Sequence, residues 1–391
     1  MNSPANYREK LLELYKRRGM SEEAANEHIA KLVALYMLQN YSPEEKCSPE
    51  KTEEALAHAW REEEARKKRE ETSRLAAVDI DSAADFIDAI SPRGSYFHIS
   101  EPGEWLFRGQ SNDAWPMRPT ALRPALLPDP YSHGLSWGVS NPDSSTNDEQ
   151  VIKELVALRE FYWRADRSGL AIPGDTLELR QIFTGRDHHE MFSSVTGGKE
   201  DYDWPQPRFI ALMAFAQHHG LPTRLLDWTR NVYVAAYFAA REAASWHMAS
   251  KKEATHLSVW AFKRSHAFES FDRFFRRNRG EPQDHDDIVE HSAPGATNRN
   301  LHAQEGLFLV HRRRLVGKNK VQTTPFEDLI SDYINKTQSA AERRFYKFRL
   351  KISEAPKLLY ELHRLGIDYA SLFPGGDGVT KSLMERAWWA K

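Results

Sequence analysis

Residues 217–229, QHHGLPTRLLDWT, place two charged side chains inside an otherwise apolar segment. The leucines around Arg224 and Asp227 are typical of a buried strand, and we predict that PTRLLDWT is strand-like. Burying a charge is costly unless a partner compensates for it. The fold must therefore provide partners for Arg224 and Asp227. The sequence leaves open whether these form structural ion pairs or belong to a ligand site.

The composition bounds the class of protein. Lys and Arg (54) nearly balance Asp and Glu (56), so no overall electrostatic field favours nucleic acid or a membrane. The single cysteine, Cys47, excludes an internal disulfide and a cysteine-based zinc cluster. No apolar run has the length of a spanning helix, and the N-terminus has no apolar signal core. We therefore expect a cytoplasmic protein without a membrane partner.

The sequence changes character near residue 78. Residues 1–78 are polar, poor in glycine and helical in pattern. Ser21 can cap one helix, and Ser42-Pro43-Glu44-Glu45 has the form of a capping box for another. We predict a helical N-terminal region over residues 1–78 and a second domain over residues 79–391.

The second domain combines short strands with helices. EWLFRG (104–109) is predicted as a strand that ends at a glycine, and Thr146 and Glu149 have the spacing of a capping box. Residues 124–145 are rich in Pro, Ser, Asn and Asp, which predicts a long loop. Helices between non-adjacent strands indicate an α+β fold. Further strands are expected at 255–262, 305–311 and 346–352.

Arg108 is a second arginine in an unusual place. It ends an apolar strand and directly precedes Gly109, a residue type that allows a backbone to approach a ligand closely. A guanidinium there suits bidentate recognition of phosphate. The alternative is a surface arginine that caps the strand.

Four segments together resemble the FRG domain family, whose name comes from the triplet seen here as Phe107-Arg108-Gly109. They are WLFRGQSNDAWPMRPTALRP, FAQHHGLPTRLLDWTRNVYVAAYFA, NRNLHAQEGLF and LHRLGIDYASLFPGGDG, and they occur in the expected order. The resemblance spans about residues 80–390 and identifies residues 79–391 as an FRG domain. The helical N-terminal region lies outside it.

The order of these segments is similar to the motif order of ADP-ribosyltransferases. This similarity implies an α+β, mixed, split-sheet ADP-ribosyltransferase-like core with a helical N-terminal extension, and NAD as substrate. Arg108 would match the arginine that contacts NAD. Thr223, Arg224 and Asp227 would lie in the second motif of such an enzyme.

The segment AQEG would supply the catalytic residue of the late strand. Gln304 and Glu305 are adjacent, and successive residues of a strand face opposite ways, so only one of them can point into a site. Gly306 suggests a turn or bulge beside them. Gln304 is favoured because it belongs to the FRG pattern together with Arg299. The alternative is that Gln304 only satisfies backbone groups.

The implied reaction breaks the nicotinamide–ribose bond through an oxocarbenium-like state, as in glycoside cleavage. An arginine would grip the dinucleotide, a carboxylate or amide would bind a ribose hydroxyl, and an aromatic ring could stack on nicotinamide or simply belong to the core. No metal is required. The implied catalytic residues are Arg108, Asp227, Gln304 and Glu305, and the implied NAD-binding residues are Phe107, Arg108, Gly109, Thr223, Arg224, Trp228 and Tyr237.

Two other classes of function are open. His218, His219 and His302 with Asp227 could suggest a metal-dependent hydrolase or nuclease, although adjacent histidines point apart on a helix. RFFRRNRG (273–280) and HRRRLVGKNK (311–320) could instead mark a non-enzymatic module that binds RNA, DNA or protein, or they could be solvated loops.

The two arginine-rich stretches could also hold the acceptor of an ADP-ribosyltransferase, which favours a nucleic-acid acceptor slightly over a protein. The family resemblance further implies a toxin or antiphage effector. Its partner would be an antitoxin or inhibitory protein, for which the charged N-terminal helices offer a contact.

Overall fold

The computed structural model describes residues 6–17, 20–41, 48–72, 75–92, 94, 96–97, 104–123, 145–184, 187–251, 253–263, 286–292, 299–337 and 345–389. Three predicted features lie outside these residues. They are the capping box at 42–45, all but the last residue of the loop at 124–145, and the arginine-rich stretch at 273–280.

The N-terminal region is helical, as predicted. It contains α1 (Tyr7–Arg17), α2 (Glu22–Asn40) and α3 (Pro49–Thr72), which share a small core that includes Leu11 and Ile29. The Ser21 hydroxyl accepts a hydrogen bond from the Ala24 N–H at 3.2 Å, so Ser21 caps α2 as expected. Among the described residues, no helix combines the length and the apolar character that crossing a membrane requires.

The rest of the chain is built on a sheet. Among the described residues, eight strands pair in the order β1-β8-β5-β2-β4-β7-β3, and β6 pairs with β7. Only β1 and β8 are parallel, so the sheet is mixed and the α+β class is confirmed. The strands are β1 (Leu75–Ile80), β2 (Trp105–Gln110), β3 (Asp201–Trp204), β4 (Leu226–Thr229), β5 (His256–Lys263), β6 (Asp286–His291), β7 (Gly306–Val316) and β8 (Phe345–Lys351).

Helices cover both faces of this sheet. Thr146 and Glu149 form the predicted capping box at the start of α5, with both of its hydrogen bonds present. The helices are α4 (Ala83–Ile90), α5 (Asn147–Arg167), α6 (Leu177–Phe183), α7 (His188–Thr196), α8 (Pro207–His218), α9 (Val232–Met248), α10 (Arg299–Ala303), α11 (Phe326–Thr337), α12 (Ala355–Arg364), α13 (Tyr369–Leu372) and α14 (Gly376–Arg386). Short 3-10 turns lie at Thr120–Leu122 and Ile352–Glu354.

The sheet is nearly divided in two. Strand β2 pairs with β5 along its whole length but with β4 only at Phe107 and Thr229. One half therefore contains β1, β8, β5 and β2, and the other contains β4, β7, β3 and β6. On one face α4, α9 and α12 cover the first half and α5 to α8 cover the second. On the other face a single cluster that includes Phe326 and Ile330 of α11 spans both halves.

Three local predictions need correction. Strand β4 begins at Leu226, so Thr223 and Arg224 precede the strand instead of lying in it. Gln304 and Glu305 form a turn before β7, and Glu305 has a φ of 46°, so the opposite-faces rule does not apply to them. Residues 311–316 belong to β7 and are not part of a solvated loop.

Gly109 of β2 allows helix α9 to pack closely against the strand. A Cβ atom at this position would lie 1.9 Å from the Ala235 carbonyl oxygen and 2.8 Å from the Ala239 nitrogen. Helix α9 therefore rests directly on the backbone of β2. The close approach that the sequence assigned to a ligand is made by this helix.

We predict that Gly109→Ala destabilises the protein by roughly 3 kcal/mol, because the added methyl meets main-chain atoms that cannot move alone. Urea unfolding monitored by tryptophan fluorescence measures the change. Gly376→Ala is the matched control, since a Cβ there meets nothing within 4 Å. Equal stability of the two variants would contradict the close packing of α9 on β2.

Candidate functional site

Arg108 lies where the two halves of the sheet separate. Its Nη1 donates a hydrogen bond of 2.5 Å to the main-chain carbonyl of Asp227, a residue 119 positions away. The same nitrogen is 4.0 Å from Asp227 Oδ2, and the Arg108 side chain is only 13% exposed. The Arg108 guanidinium therefore connects β2 to β4 next to Phe107 and Thr229, the residues at which the two strands pair.

The Arg108 charge is poorly solvated. Burial lowers the pKa of Arg108 to about 10, the Asp227 carboxylate opposes this shift, and the nearby Arg123 adds to it. The group is still protonated at neutral pH. Within the part of the chain that the structure describes, its Nε is buried and has no hydrogen-bond acceptor. Arg108 thus offers a buried cationic donor that the protein leaves unsatisfied.

Asp227 supplies the carboxylate next to Arg108, and its side chain is 67% exposed. Its Oδ1 accepts a hydrogen bond of 2.8 Å from the Gln217 amide, which lies in the last turn of α8. The Thr223 hydroxyl donates to Gln217 Oε1. We call Arg108, Gln217, Thr223 and Asp227 the junction site.

Other charged groups surround the junction site. The Arg123 side chain donates from Nε to the Arg118 carbonyl at 3.0 Å. Partial desolvation and the neighbouring His219 lower the pKa of His218, and Asp227 opposes the shift, so His218 is neutral at pH 7. Its Nε2 lies 3.3 Å from the Asn300 amide nitrogen. Among the described residues, no three His, Cys, Asp or Glu side chains are grouped as a metal site would require.

Arg224 is held away from solvent by an ion pair. Its Nε lies 2.8 Å from both carboxylate oxygens of Glu154 on α5, and the two side chains are 8% and 6% exposed. Trp204 and Gln150 also donate to this carboxylate, each at 2.8 Å. Arg224 and Asp227, three positions apart, therefore have different partners. The geometry of Arg224 is that of a structural ion pair and not of an NAD-contacting residue.

Gln304 and Glu305 lie next to the end of β4. The Thr229 hydroxyl donates to the Gln304 carbonyl at 2.7 Å, and the Gln304 amide donates to the Leu372 carbonyl at 3.2 Å. Glu305 is exposed, and its Oε1 accepts a hydrogen bond of 2.9 Å from the Asn231 amide. The Gln304 amide is thus bonded to the C-terminal segment at Leu372, whereas the Glu305 carboxylate is exposed to solvent.

The three aromatic residues assigned to stacking are core residues. Phe107 meets Phe97 edge to face at 5.5 Å, and Trp228 meets Phe262 at 5.2 Å. The Tyr237 hydroxyl donates to both oxygens of Glu385 on α14, and burial raises the pKa of Tyr237. Each of the three rings is at least nine-tenths buried, so none of them can stack on nicotinamide in this conformation.

The arginines of residues 311–320 face acidic or polar partners. Arg312 is buried and bonds to Asp203 at 2.9 Å, and Arg314 bonds to Asp201 at 2.6 Å. Arg313 donates to the Gln322 side chain. Each of the three guanidinium groups therefore has a carboxylate or amide oxygen beside it.

Two cavities lie elsewhere. One of about 680 Å³ separates the N-terminal helices from the domain that follows them, and it is crossed by an ion pair of 3.9 Å between Lys31 and Glu253. The other, of about 520 Å³, lies beside Arg312 and Arg314. Neither cavity is lined by Arg108 or Asp227.

Comparison with known protein families identifies the central part of the chain. The model of the FRG domain matches residues 103–247, and the chain therefore contains an FRG domain. The matched range includes the whole junction site and ends before Gln304 and Glu305. No curated protein and no solved structure matches the chain.

Sequence reasoning missed Gln217 and Glu154. Gln217 opens the segment QHHGLPTRLLDWT and precedes Gly220, which has a φ of 91° and turns the chain back toward β4. The helix stop at Gly220 was a usable signal that Gln217 and Thr223 come together. Glu154 is 70 positions from Arg224, and no local pattern connects them.

We predict that Arg224→Met and Glu154→Leu each destabilise the protein by about 3–5 kcal/mol, because each leaves a buried charge without its partner. The double variant should lose less than the sum of the two single variants. Urea unfolding of all four proteins measures this coupling. An ion pair on the surface contributes about 1 kcal/mol or less to stability. If the free energy of unfolding of each single variant lies within about 1 kcal/mol of wild type, the pair is not structural.

Proposed function

We propose that the junction site binds NAD and that the protein is an NAD-dependent ADP-ribosyltransferase with an ADP-ribosyltransferase-like core. One observation carries the proposal: a buried guanidinium with an unsatisfied Nε and an exposed carboxylate meet where the sheet halves separate. The near division of the sheet at Phe107 and Thr229 supports the proposed split-sheet core.

The residue types suit this reaction. Arg108 would donate to the pyrophosphate or a ribose oxygen, since a guanidinium binds phosphate with charge-assisted hydrogen bonds. Asp227 would accept a hydrogen bond from a ribose hydroxyl and stabilise the positive charge that develops on the ribose as nicotinamide leaves. The acceptor nucleophile would then attack the anomeric carbon and lose its proton to a base.

Glu305 fits the second catalytic position better than Gln304. Its carboxylate is exposed, and it has a positive φ, a conformation that in non-glycine residues is often retained for function. The Gln304 amide is already bonded to Leu372, which matches the alternative role of satisfying backbone groups. We therefore propose Glu305 for orienting the acceptor and Gln304 for holding the segment around it.

We predict that Arg108→Gln weakens NAD binding at least tenfold, because about 1.5–3 kcal/mol is associated with a hydrogen bond to a charged group. Isothermal titration calorimetry with NAD measures the affinity, and thermal unfolding confirms that the variant is folded. Arg164→Gln, which removes an arginine that is 80% exposed on α5, is the control and should bind NAD normally. A folded wild-type protein that does not bind NAD would contradict the proposal unless the acceptor must bind first.

The acceptor is proposed to be a nucleic acid or a protein. The contacts of Arg312 and Arg314 remove part of the reason for preferring nucleic acid. Labelled NAD incubated with a cell lysate and then digested separately with nuclease and protease distinguishes the two acceptors. If no label is transferred under any condition, the alternative of a non-enzymatic binding module is favoured.

We also propose that the protein is a toxin or antiphage effector held inactive by an inhibitory partner. Expression of the wild-type protein in bacteria should then arrest growth, and Asp227→Asn should relieve the arrest while the protein accumulates to the same level. Growth curves with immunoblots measure both quantities. Normal growth with the wild-type protein expressed would remove the toxin proposal and leave the enzymatic one to the NAD assays.

A further inference from the structure

Three hydrogen bonds in series end at the Asp227 carboxylate. The Leu225 N–H donates to Thr223 Oγ1 at 3.1 Å, the Thr223 hydroxyl donates to Gln217 Oε1, and the Gln217 amide donates to Asp227 Oδ1 at 2.8 Å. The direction of the series is set at the Asp227 end. A carboxylate oxygen accepts, so the Gln217 NH₂ group faces Asp227, and Gln217 Oε1 is left to accept the Thr223 proton.

The series determines which end of the Gln217 amide faces Asp227. The Gln217 oxygen is occupied by the Thr223 hydroxyl, so the NH₂ group must face the carboxylate. If the amide turned over, its oxygen would face the carboxylate oxygen, and the Thr223 hydroxyl would face an NH₂ group. Thr223 is buried, which protects this arrangement from competing water.

The local fold brings the three side chains together. Helix α8 ends at His218, and Gly220 adopts a φ of 91° that other residues reach only with strain. The chain reverses at this glycine, places Thr223 beside Gln217, and enters β4 at Leu226. Residues 217–227 therefore contain both Asp227 and the groups that orient it.

With Oδ1 occupied, Oδ2 is the oxygen left for a ligand. It is the oxygen nearest to Arg108, at 4.0 Å from Nη1. A ligand group placed beside both atoms would meet an acceptor and a cationic donor at once. A ribose hydroxyl satisfies both, because it can donate to Oδ2 while its oxygen accepts from the guanidinium.

We infer that Gln217 and Thr223 are positioning residues that direct Asp227 Oδ2 toward a ribose hydroxyl of the substrate. This inference rests on the proposed function, and it identifies a ribose hydroxyl as the part of the dinucleotide that the Asp227 carboxylate contacts. The two residues act through Asp227 and do not touch the substrate. Their loss should therefore affect turnover more than substrate affinity.

The test compares Thr223→Val, which keeps the shape and removes the hydroxyl, with Thr223→Ser, which keeps the hydroxyl. Transfer of labelled ADP-ribose by the full chain is measured as kcat and KM for NAD. Thr223→Val should lower kcat at least tenfold with KM within threefold, and Thr223→Ser should restore most of kcat. Gln217→Glu, which places a carboxylate against Asp227, should be as defective as Thr223→Val.

A purely structural role would give a different result. It would lower the melting temperature in Thr223→Val while the folded enzyme kept its kcat, and this outcome would overturn the inference. Thr184→Val is the matched control, since Thr184 is exposed and its hydroxyl donates to the nearby Gln181 carbonyl at 2.9 Å. It should leave kcat and KM unchanged.

A second measurement separates this inference from the proposed function. In protein labelled with ¹⁵N-glutamine, the Gln217 side-chain amide, assigned by its loss in Gln217→Leu, should exchange slowly in wild type and at least tenfold faster in Thr223→Val. If wild type neither binds nor transfers NAD, the proposed function fails, and slow exchange would still support the oriented amide. Equal exchange in the two proteins would overturn it.

Discussion

The contact between the Arg108 guanidinium and the Asp227 carbonyl connects the two halves of the sheet. Beyond Phe107 and Thr229 the strands β2 and β4 no longer pair, and a side chain supplies the hydrogen bond that a neighbouring backbone would have made. The cluster around α11 then covers this face across both halves. The half-buried Glu327 of α11 accepts a hydrogen bond from the Met117 N–H at 2.9 Å, and desolvation raises its pKa. Sheet continuity and the site thus depend on the same arginine.

The segments that carry the family resemblance are neighbours in space. Arg108 of the first bonds to Asp227 of the second, and Thr229 of the second bonds to Gln304 of the third. Gln304 in turn bonds to Leu372 of the fourth. In each of these three contacts a side chain donates to a main-chain carbonyl. The geometry of the backbone in each block matters as much as its side chains.

The sequence predicted local features and could not predict distant pairings. The caps at Ser21 and Thr146 were predictable because donor and acceptor lie three residues apart. The need for a partner at Arg224 followed from the cost of burying charge, but Glu154 is brought to it by tertiary packing alone. The expected burial of Asp227 was wrong, since its side chain is 67% exposed. Gln304 and Glu305 were assigned to the start of a strand because they directly precede the apolar run that forms β7. The positive φ of Glu305, which sets them in a turn, leaves no mark on hydrophobic periodicity.

The three arginines buried or nearly buried in this part of the protein differ in how their charge is compensated. Arg224 and Arg312 each touch a carboxylate at hydrogen-bond distance, at 2.8 and 2.9 Å. Arg108 touches only a carbonyl, and its carboxylate partner is 4.0 Å away and largely in solvent. A neutral acceptor stabilises a guanidinium less than a carboxylate does, which is why burial lowers the pKa of Arg108. The remaining electrostatic cost is one that a bound anion would remove. The structure therefore separates two arginines that are paired with carboxylates from Arg108, and it is Arg108 that we propose to bind the ligand.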